Sequence, residues 1–141
     1  MDLHADAFRL DLPAANKYLN VLGACLDAFI ERIEGVAEPR VTAYNVQLAV
    51  NEIFANIVTH AYDDAPDGRV DIVAMLASDP RRLLIDISDT GIGFDPATVA
   101  EPDLEDVQIH GYGLFLARSL MDDVAYTRRP DGNNWRLIKY L

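Results

Sequence analysis

A predicted helix over residues 43–61 combines an apolar face with a polar one and constrains the fold more than any other feature. Its apolar residues recur at steps of three and four, the spacing of a helix packed on a core: Val46, Ala49, Val50, Ile53 and Ile57. Glu52 and Asn56 lie four residues apart on another face, and His60 continues that row. This pair can hold a water or a magnesium ion, or it can simply solvate an outer helix face.

Length and charge narrow the class of protein. The 141 residues suit one domain of typical size, so we expect residues 1–141 to form a single domain. The net charge of −11 argues against nucleic acid or an anionic membrane as the principal partner, because both require a basic surface. Cys25 is the only cysteine, and no signal peptide or membrane-spanning run is recognisable, so we expect a cytoplasmic location.

The order of predicted elements indicates an α+β fold. Periodicity and turn residues predict strands at 8–12, 70–76, 83–88, 124–128 and 135–140, and helices at 14–34, 43–61 and 114–121. Thr42 is the predicted N-cap of the second helix, and residues 95–110 are a predicted loop or lid. The last two strands form a hairpin around a turn at 130–133. Successive hairpins with grouped helices predict a two-layer α/β sandwich: a mixed, mostly antiparallel sheet with helices on one face.

The run Asp89-Thr90-Gly91-Ile92-Gly93 follows the third predicted strand. A carboxylate can accept a hydrogen bond from an amine, and glycine lets the backbone approach a flat ligand or adopt positive φ. A tight turn capped by aspartate explains the same residues equally well. Taken alone, the motif is therefore a weak indication of a binding site.

A second glycine pair, Gly111-Tyr112-Gly113, opens the third predicted helix. Free backbone N–H groups and the positive end of a helix dipole suit a phosphate group. The dinucleotide fingerprint does not fit, because no strand immediately precedes the pair and Leu116 occupies the third glycine position. The Walker sequence is absent as well.

Taken together and in this order, Glu52-x-x-x-Asn56, Asp89-x-Gly91-x-Gly93 and Gly111-x-Gly113 resemble the Bergerat ATP-binding fold of gyrase-type ATPases and bacterial histidine kinases. Within that superfamily, the short chain resembles the anti-sigma-factor serine/threonine protein kinases of bacterial partner-switching systems. Its Met-Asp-Asp-Val run at 121–124 and its N-terminal strand and helix also match them. The resemblance covers nearly the whole chain.

The resemblance assigns a catalytic centre to the second helix. It implies that Glu52 is the general base that polarises the attacking hydroxyl, and that Asn56 ligates the Mg2+ that bridges the phosphates of ATP. His60 faces either the edge of the nucleotide or, as a histidine at a helix end, solvent or the core. These roles agree with the chemistry, since a carboxylate accepts protons and an amide oxygen suits a hard cation.

The resemblance also assigns nucleotide contacts. By likeness, Asp89 accepts the adenine amino group, and the remaining contacts are Gly91 and Gly93 at the base pocket, Gly111, Tyr112 and Gly113 along the phosphates, and Asn134 as a polar partner. Two positions depart from the pattern. Gln108-Ile109-His110 replaces an arginine common in relatives, which argues against fast turnover, and Gly132-Asn133-Asn134 replaces a usual Gly-Thr.

The function implied by the resemblance is an ATP- and Mg2+-dependent kinase. Such a protein holds a sigma factor inactive and phosphorylates a serine of an anti-anti-sigma protein of the STAS type, and relatives suggest a homodimer through a sheet edge. The alternative is an interaction module that binds ATP or ADP without transferring phosphate. A nucleotide-free scaffold leaves the Asp89 motif without a purpose.

Overall fold

The computed structural model describes residues 6–62, 67–92 and 112–141, and these contain a five-stranded sheet. The strands are β1 (Ala7–Pro13), β2 (Arg69–Ala77), β3 (Arg82–Asp89), β4 (Asp123–Arg129) and β5 (Gly132–Tyr140). Their spatial order is β1-β2-β3-β5-β4, and each neighbouring pair is antiparallel. The predicted α+β architecture is confirmed, and the described sheet is antiparallel throughout.

Three α-helices accompany the sheet in the described residues: α1 (Leu19–Glu31), α2 (Pro39–Asn56) and α3 (Tyr112–Leu120). A 3-10 turn over Asn16–Tyr18 precedes α1, so the first α-helix begins later than predicted. A π-helical turn over Ile57–Ala61 continues α2. The predicted lid at 95–110 lies outside the described residues.

The start of α2 corrects the prediction that Thr42 caps this helix. The helix begins at Pro39, with Glu38 in the capping position. Proline suits the first turn of a helix, because its missing N–H would have no partner there. The Thr42 backbone N–H donates to the Glu38 carbonyl at 2.9 Å, so Thr42 already lies within the helix.

The core lies between the helices and one face of the sheet. The apolar stripe predicted for α2 is buried throughout. It is covered by buried residues of α1 and of the central strands: Leu22, Leu26, Ile30, Val70, Ile72, Ile85, Ile87, Trp135 and Leu137. Alternation along the strands places these side chains on a common face. The two-layer arrangement with helices on one face is thereby confirmed.

The other face of the sheet is polar. Three ion pairs join neighbouring strands across it: Arg9 with Asp71 at 2.7 Å, Arg69 with Asp11 at 2.9 Å, and Arg136 with Asp86 at 2.9 Å. Exposed pairs of this kind contribute little stability, but they keep the face hydrophilic. Among the helices in the described part of the chain, none is long and apolar enough to cross a membrane.

The final hairpin is tighter than predicted. β5 begins at Gly132 and pairs there with Arg129, so only Pro130 and Asp131 connect the two strands. Asn133 and Asn134 consequently belong to a strand and not to a turn. Because neighbouring strand residues point to opposite faces, these two asparagines have different surroundings.

Candidate functional site

Asp89 is the one buried charged residue in the described part of the chain. It ends β3 with only 6% of its surface exposed. Its Oδ1 accepts hydrogen bonds from the Gly91 backbone N–H and from the Asn133 side-chain amide, both at 2.8 Å. Its Oδ2 is buried and has no hydrogen-bond partner among the described residues. Buried oxygens of this kind normally receive a donor, so Oδ2 is suited to accept one from a ligand.

Opposing effects act on the ionisation of Asp89. Burial raises the pKa of its carboxyl group, because the charged form is poorly solvated there. The hydrogen bonds from Asn133 and Gly91 and the positive charge of Arg128 lower that pKa in opposition. These three contributions favour the carboxylate form, which is the form that accepts a hydrogen bond from an amine.

Gly91 allows the loop after β3 to pack directly on the end of the second helical segment. A side chain at this position would overlap the Ala61 carbonyl, and the Ile92 N–H donates to that same carbonyl at 2.7 Å. Gly91 does not adopt positive φ, which was one of the two reasons considered for a glycine here. Within the described residues, the glycine with positive φ is Gly35. The absence of a side chain at Gly91 instead permits close approach to backbone.

Glu52 lies beside the first turn of α3. A Cβ atom at Gly113 would come within 2.5 Å of the Glu52 Oε2 atom, so the carboxylate occupies space that only glycine leaves open. Glu52 and Ala61 are nine residues apart, which is roughly 13 Å along a helix axis. Asn56, the half-buried last residue of α2, lies between them. One ligand that contacts both Asp89 and Glu52 must therefore be elongated.

The remaining predicted site residues have varied surroundings. His60 is exposed on the π-helical turn, and π turns inside helices occur frequently at functional sites. Tyr112 begins α3, with 39% of its surface exposed and its ring centre 6.3 Å from that of Phe115. Gly93 and Gly111 lie outside the described residues.

Asn133, and not Asn134, contacts Asp89. The Asn134 side-chain amide donates to the Ser88 hydroxyl at 2.9 Å. Asn133 lies directly opposite Asp89 in the β3–β5 pairing. Gly132 permits this close pairing, because a side chain there would overlap the Asp89 carbonyl oxygen. A nucleotide-binding role for Asn134 stays a prediction, and the asparagine side chain that contacts the Asp89 carboxylate is that of Asn133.

Sequence reasoning also missed a tyrosine beside the site. The Tyr62 hydroxyl accepts from the Thr90 N–H at 2.9 Å and donates to the Arg69 carbonyl at 2.6 Å. It thereby ties the Asp89 loop to β2 and to the segment that follows α2. Only its position two residues after His60 in the sequence could have drawn attention to it.

Glu52 and Asn56 are the candidate oxygen ligands for a metal ion. Within the described residues, no group of three or more His, Cys, Asp or Glu side chains could hold a metal ion. Glu52 and Asn56, one helical turn apart, offer a carboxylate and an amide oxygen. Mg2+ usually keeps several waters and takes its other ligands from substrate phosphates, so one or two protein oxygens are a suitable set.

Comparison with known proteins identifies the family. Residues 12–139 match the histidine kinase-like ATPase domain. Serine-protein kinase RsbW of Listeria monocytogenes is 32% identical, over 84% of this chain and 78% of that protein. Serine-protein kinase RsbW of Bacillus cereus is 30% identical, over 96% of this chain and 86% of that protein.

A solved structure agrees with the fold. The structure of the RsbU and RsbW domains of Rv1364c from Mycobacterium tuberculosis superimposes with a TM-score of 0.68 at 19% identity, and the match covers 96% of this chain and 32% of that one. The chain therefore belongs to the histidine kinase-like ATPase domain family, and the two relatives compared above are serine-protein kinases named RsbW.

Proposed function

We propose that this protein binds ATP with Mg2+ and transfers the γ-phosphoryl group to a serine of a protein substrate. The proposal rests on the positions of two carboxylates, Glu52 on α2 and Asp89 on β3, relative to the helical segment that α2 forms with its π-helical turn. The loop that follows Asp89 packs on Ala61 at the end of this segment, and the buried Oδ2 of Asp89 has no partner among the described residues. Glu52 lies two helical turns or more from Ala61, beside α3. The RsbW relatives bear the name of serine-protein kinases, which supports the same chemistry.

In the proposed reaction, the serine hydroxyl oxygen attacks the γ-phosphorus of ATP. The bond between that phosphorus and the β,γ-bridging oxygen breaks, ADP leaves, and Glu52 takes the hydroxyl proton. Asn56 would hold Mg2+, which neutralises phosphate charge when bound. Positioning and charge neutralisation account for most of the catalysis in phosphoryl transfer, so this small set of groups suffices.

The remaining assignments concern the nucleotide contacts and the protein partners. Asp89 would accept the exocyclic amine of adenine, Gly91 and Gly93 would line the base pocket, and the backbone of Gly111 to Gly113 would lie along the phosphates. The protein would hold a sigma factor inactive and phosphorylate a STAS-type anti-anti-sigma protein, which would then no longer displace that sigma factor. A homodimer through a sheet edge stays a prediction, for which β1 and β4 are the edges.

Two measurements test this proposal. Calorimetry of the full chain with MgATP should show binding; a micromolar Kd corresponds to about 8 kcal/mol. Incubation with labelled ATP and a panel of STAS-type proteins should then place label on a serine. Binding without transfer would instead support an interaction module, and absence of MgATP binding would overturn the nucleotide site.

Replacement of Gly113 with alanine should separate catalysis from folding. Alanine is better than glycine in a helix by about 1 kcal/mol, so stability should hold or rise. The added methyl group would displace the Glu52 carboxylate. Since misplacement by about 1 Å can cost 10²-fold, the rate of phosphoryl transfer should fall about 10- to 100-fold.

Single-turnover transfer and thermal unfolding would be measured on the Gly113→Ala variant. Ser119→Ala serves as the control, because it alters an exposed position on the same helix. An unchanged transfer rate in Gly113→Ala would show that the observed position of Glu52 is not needed for the reaction.

A further inference from the structure

The side-chain amide of Asn133 is held in one orientation by groups on β4. Its Oδ1 accepts from the Arg128 guanidinium, with Nη1 at 3.2 Å, and from the Tyr126 hydroxyl. A guanidinium has donors only, so the amide oxygen must face Arg128. The amide NH2 group then donates to the Asp89 Oδ1 at 2.8 Å and to the Ile92 carbonyl at 2.9 Å.

Arg128 also joins the final hairpin to the loop after β3. The same Nη1 atom lies 3.1 Å from the Gly91 carbonyl oxygen and 3.1 Å from the Gly132 carbonyl oxygen. One side chain from an edge strand thus contacts both the loop that follows Asp89 and the residue before Asn133. Its contacts extend to the candidate base pocket without any direct contact with the Asp89 carboxylate.

We propose that Arg128 is a positioning residue that acts through the Asn133 amide to keep Asp89 selective for an exocyclic amine. This inference rests on the proposed binding of ATP at Asp89. With Asn133 and Gly91 occupying Oδ1, only Oδ2 remains for a ligand, and it can accept but not donate. A purine with an amine at C6 satisfies Oδ2, whereas the C6 carbonyl of inosine triphosphate (ITP) meets another acceptor.

Without the Arg128 guanidinium, the Tyr126 hydroxyl still contacts the Asn133 amide, but a hydroxyl can donate or accept, so the amide can rotate by 180°. Its oxygen would then face the Asp89 carboxylate, and protonation of Asp89 would relieve the repulsion between the two acceptors. With that proton shared between Oδ1 and the Asn133 oxygen, Oδ2 becomes the carbonyl oxygen of a neutral acid, which is a weaker acceptor for an amine and repels a carbonyl group less. Three consequences are expected. ATP binds more weakly, and the preference for ATP over ITP becomes smaller. On acidification, the loss of ATP binding begins at a higher pH than in the wild type.

The surroundings of Asp89 make this pH dependence specific. Among the described residues, Arg128 is the only charged side chain that shifts the pKa of Asp89. On β5 the facing group is the neutral amide of Asn133, and on β2 the paired residue is Val70. The segment after α2 presents the Tyr62 phenol, whose hydroxyl is bonded to the Thr90 N–H.

Arg129 provides a matched control. It is the next residue on β4, it is exposed, and its side chain makes no hydrogen bond or ion pair among the described residues. It lines the groove on the outer, polar face of the sheet. Replacement of either arginine by glutamine removes the same charge, so a difference between the two variants reports the contacts of Arg128 alone.

The experiment is calorimetric titration of wild type, Arg128→Gln and Arg129→Gln with MgATP and MgITP across the acidic and neutral pH range. Arg128→Gln should weaken ATP binding about 10-fold, as expected for one lost charge-assisted contact. Its ratio of ATP to ITP affinity should fall, and the acid limb of its ATP binding should move to higher pH. Arg128→Lys should restore part of each effect, because lysine keeps the charge and can donate.

The outcomes separate this inference from the proposed function. If wild type fails to bind ATP, the proposed function falls. If wild type binds and Arg128→Gln keeps the wild-type pH profile and nucleotide preference, or if Arg129→Gln shifts equally, only the role of Arg128 is overturned. If Arg128→Gln does not fold, Arg128→Met decides the question: it also removes every donor at this position, so it should shift preference and pH profile in the same direction, and unchanged values would refute the proposal.

Discussion

Replacement of Asp89 with asparagine should abolish ATP binding while the protein remains folded. The Oδ1 atom of the new residue would still accept from Gly91 and Asn133, as it does in the wild type. Its NH2 group would then occupy the position of the buried Oδ2 and meet the adenine amine, donor against donor. Hydrogen bonds to charged groups contribute about 1.5–3 kcal/mol, and buried unpaired donors cost about 1–3 kcal/mol, so the Kd should rise at least ~100-fold.

The same geometry predicts a change in nucleotide preference for Asp89→Asn. An NH2 group at this position can donate to the C6 carbonyl of ITP, so affinity for ITP should fall much less than affinity for ATP, or should rise. The control is Asp86→Asn, which makes the same chemical change on the same strand but removes an ion pair with Arg136 on the outer face. Equal affinities of Asp89→Asn and wild type for ATP would remove Asp89 from the site.

Thermal unfolding of Asp89→Asn checks that lost binding does not reflect lost structure. The pKa of Asp89 is raised in the folded protein above the ordinary value of 3.8, so ionisation favours the unfolded chain. Wild-type stability from this group is therefore greatest below pH 3.8 and is lost as the pH rises through the folded pKa. Asparagine does not ionise, so the variant does not lose stability in this way. At neutral pH its Tm should therefore equal or exceed that of wild type.

Replacement of Glu52 with glutamine should stop phosphoryl transfer and spare nucleotide binding. Glutamine keeps the size of the side chain beside Gly113 but does not accept a proton at neutral pH. General base catalysis typically contributes 10²- to 10⁴-fold, so single-turnover transfer should slow by about that factor. The Kd for MgATP should change by less than about 10-fold, since Asp89, the proposed adenine contact, lies near the end of the helical segment that is roughly 13 Å from Glu52.

Glu31→Gln is the control for the Glu52 variant, because it makes the same change at an exposed position on α1. It should transfer phosphate at the wild-type rate. Full activity in Glu52→Gln would exclude Glu52 as the base. A parallel loss of ATP binding and transfer would show that Glu52 acts mainly in binding.

Much of the fold was predictable because strand and helix periodicity are local properties. The strands β1, β2 and β3 and the buried stripe of α2 follow from residues close together in the chain. The exceptions are boundaries that depend on backbone detail. Pro39 begins α2 where Thr42 was expected to cap it, and β5 begins at Gly132, inside the expected turn.

The sequence by itself determined which residue types are present for a nucleotide site and which of them share a helix face. Spacing alone places Glu52 and Asn56 one turn apart, and it places Asp89 at the end of a strand. The resemblance in motif order then identified the family, which comparison with known proteins confirms.

Only the tertiary structure decided which side chain contacts Asp89. The β3–β5 register places Asn133 opposite Asp89, and the pairing of β4 with β5 brings Arg128 to the Asn133 amide. Asn133 lies 44 positions from Asp89 in the chain, so no local pattern relates the two residues. A shift of one residue would exchange Asn133 for Asn134, because side chains alternate between the faces of a strand. Strand register is fixed by packing and turn geometry across the whole sheet, which is why the sequence could supply the candidates but not the choice between them.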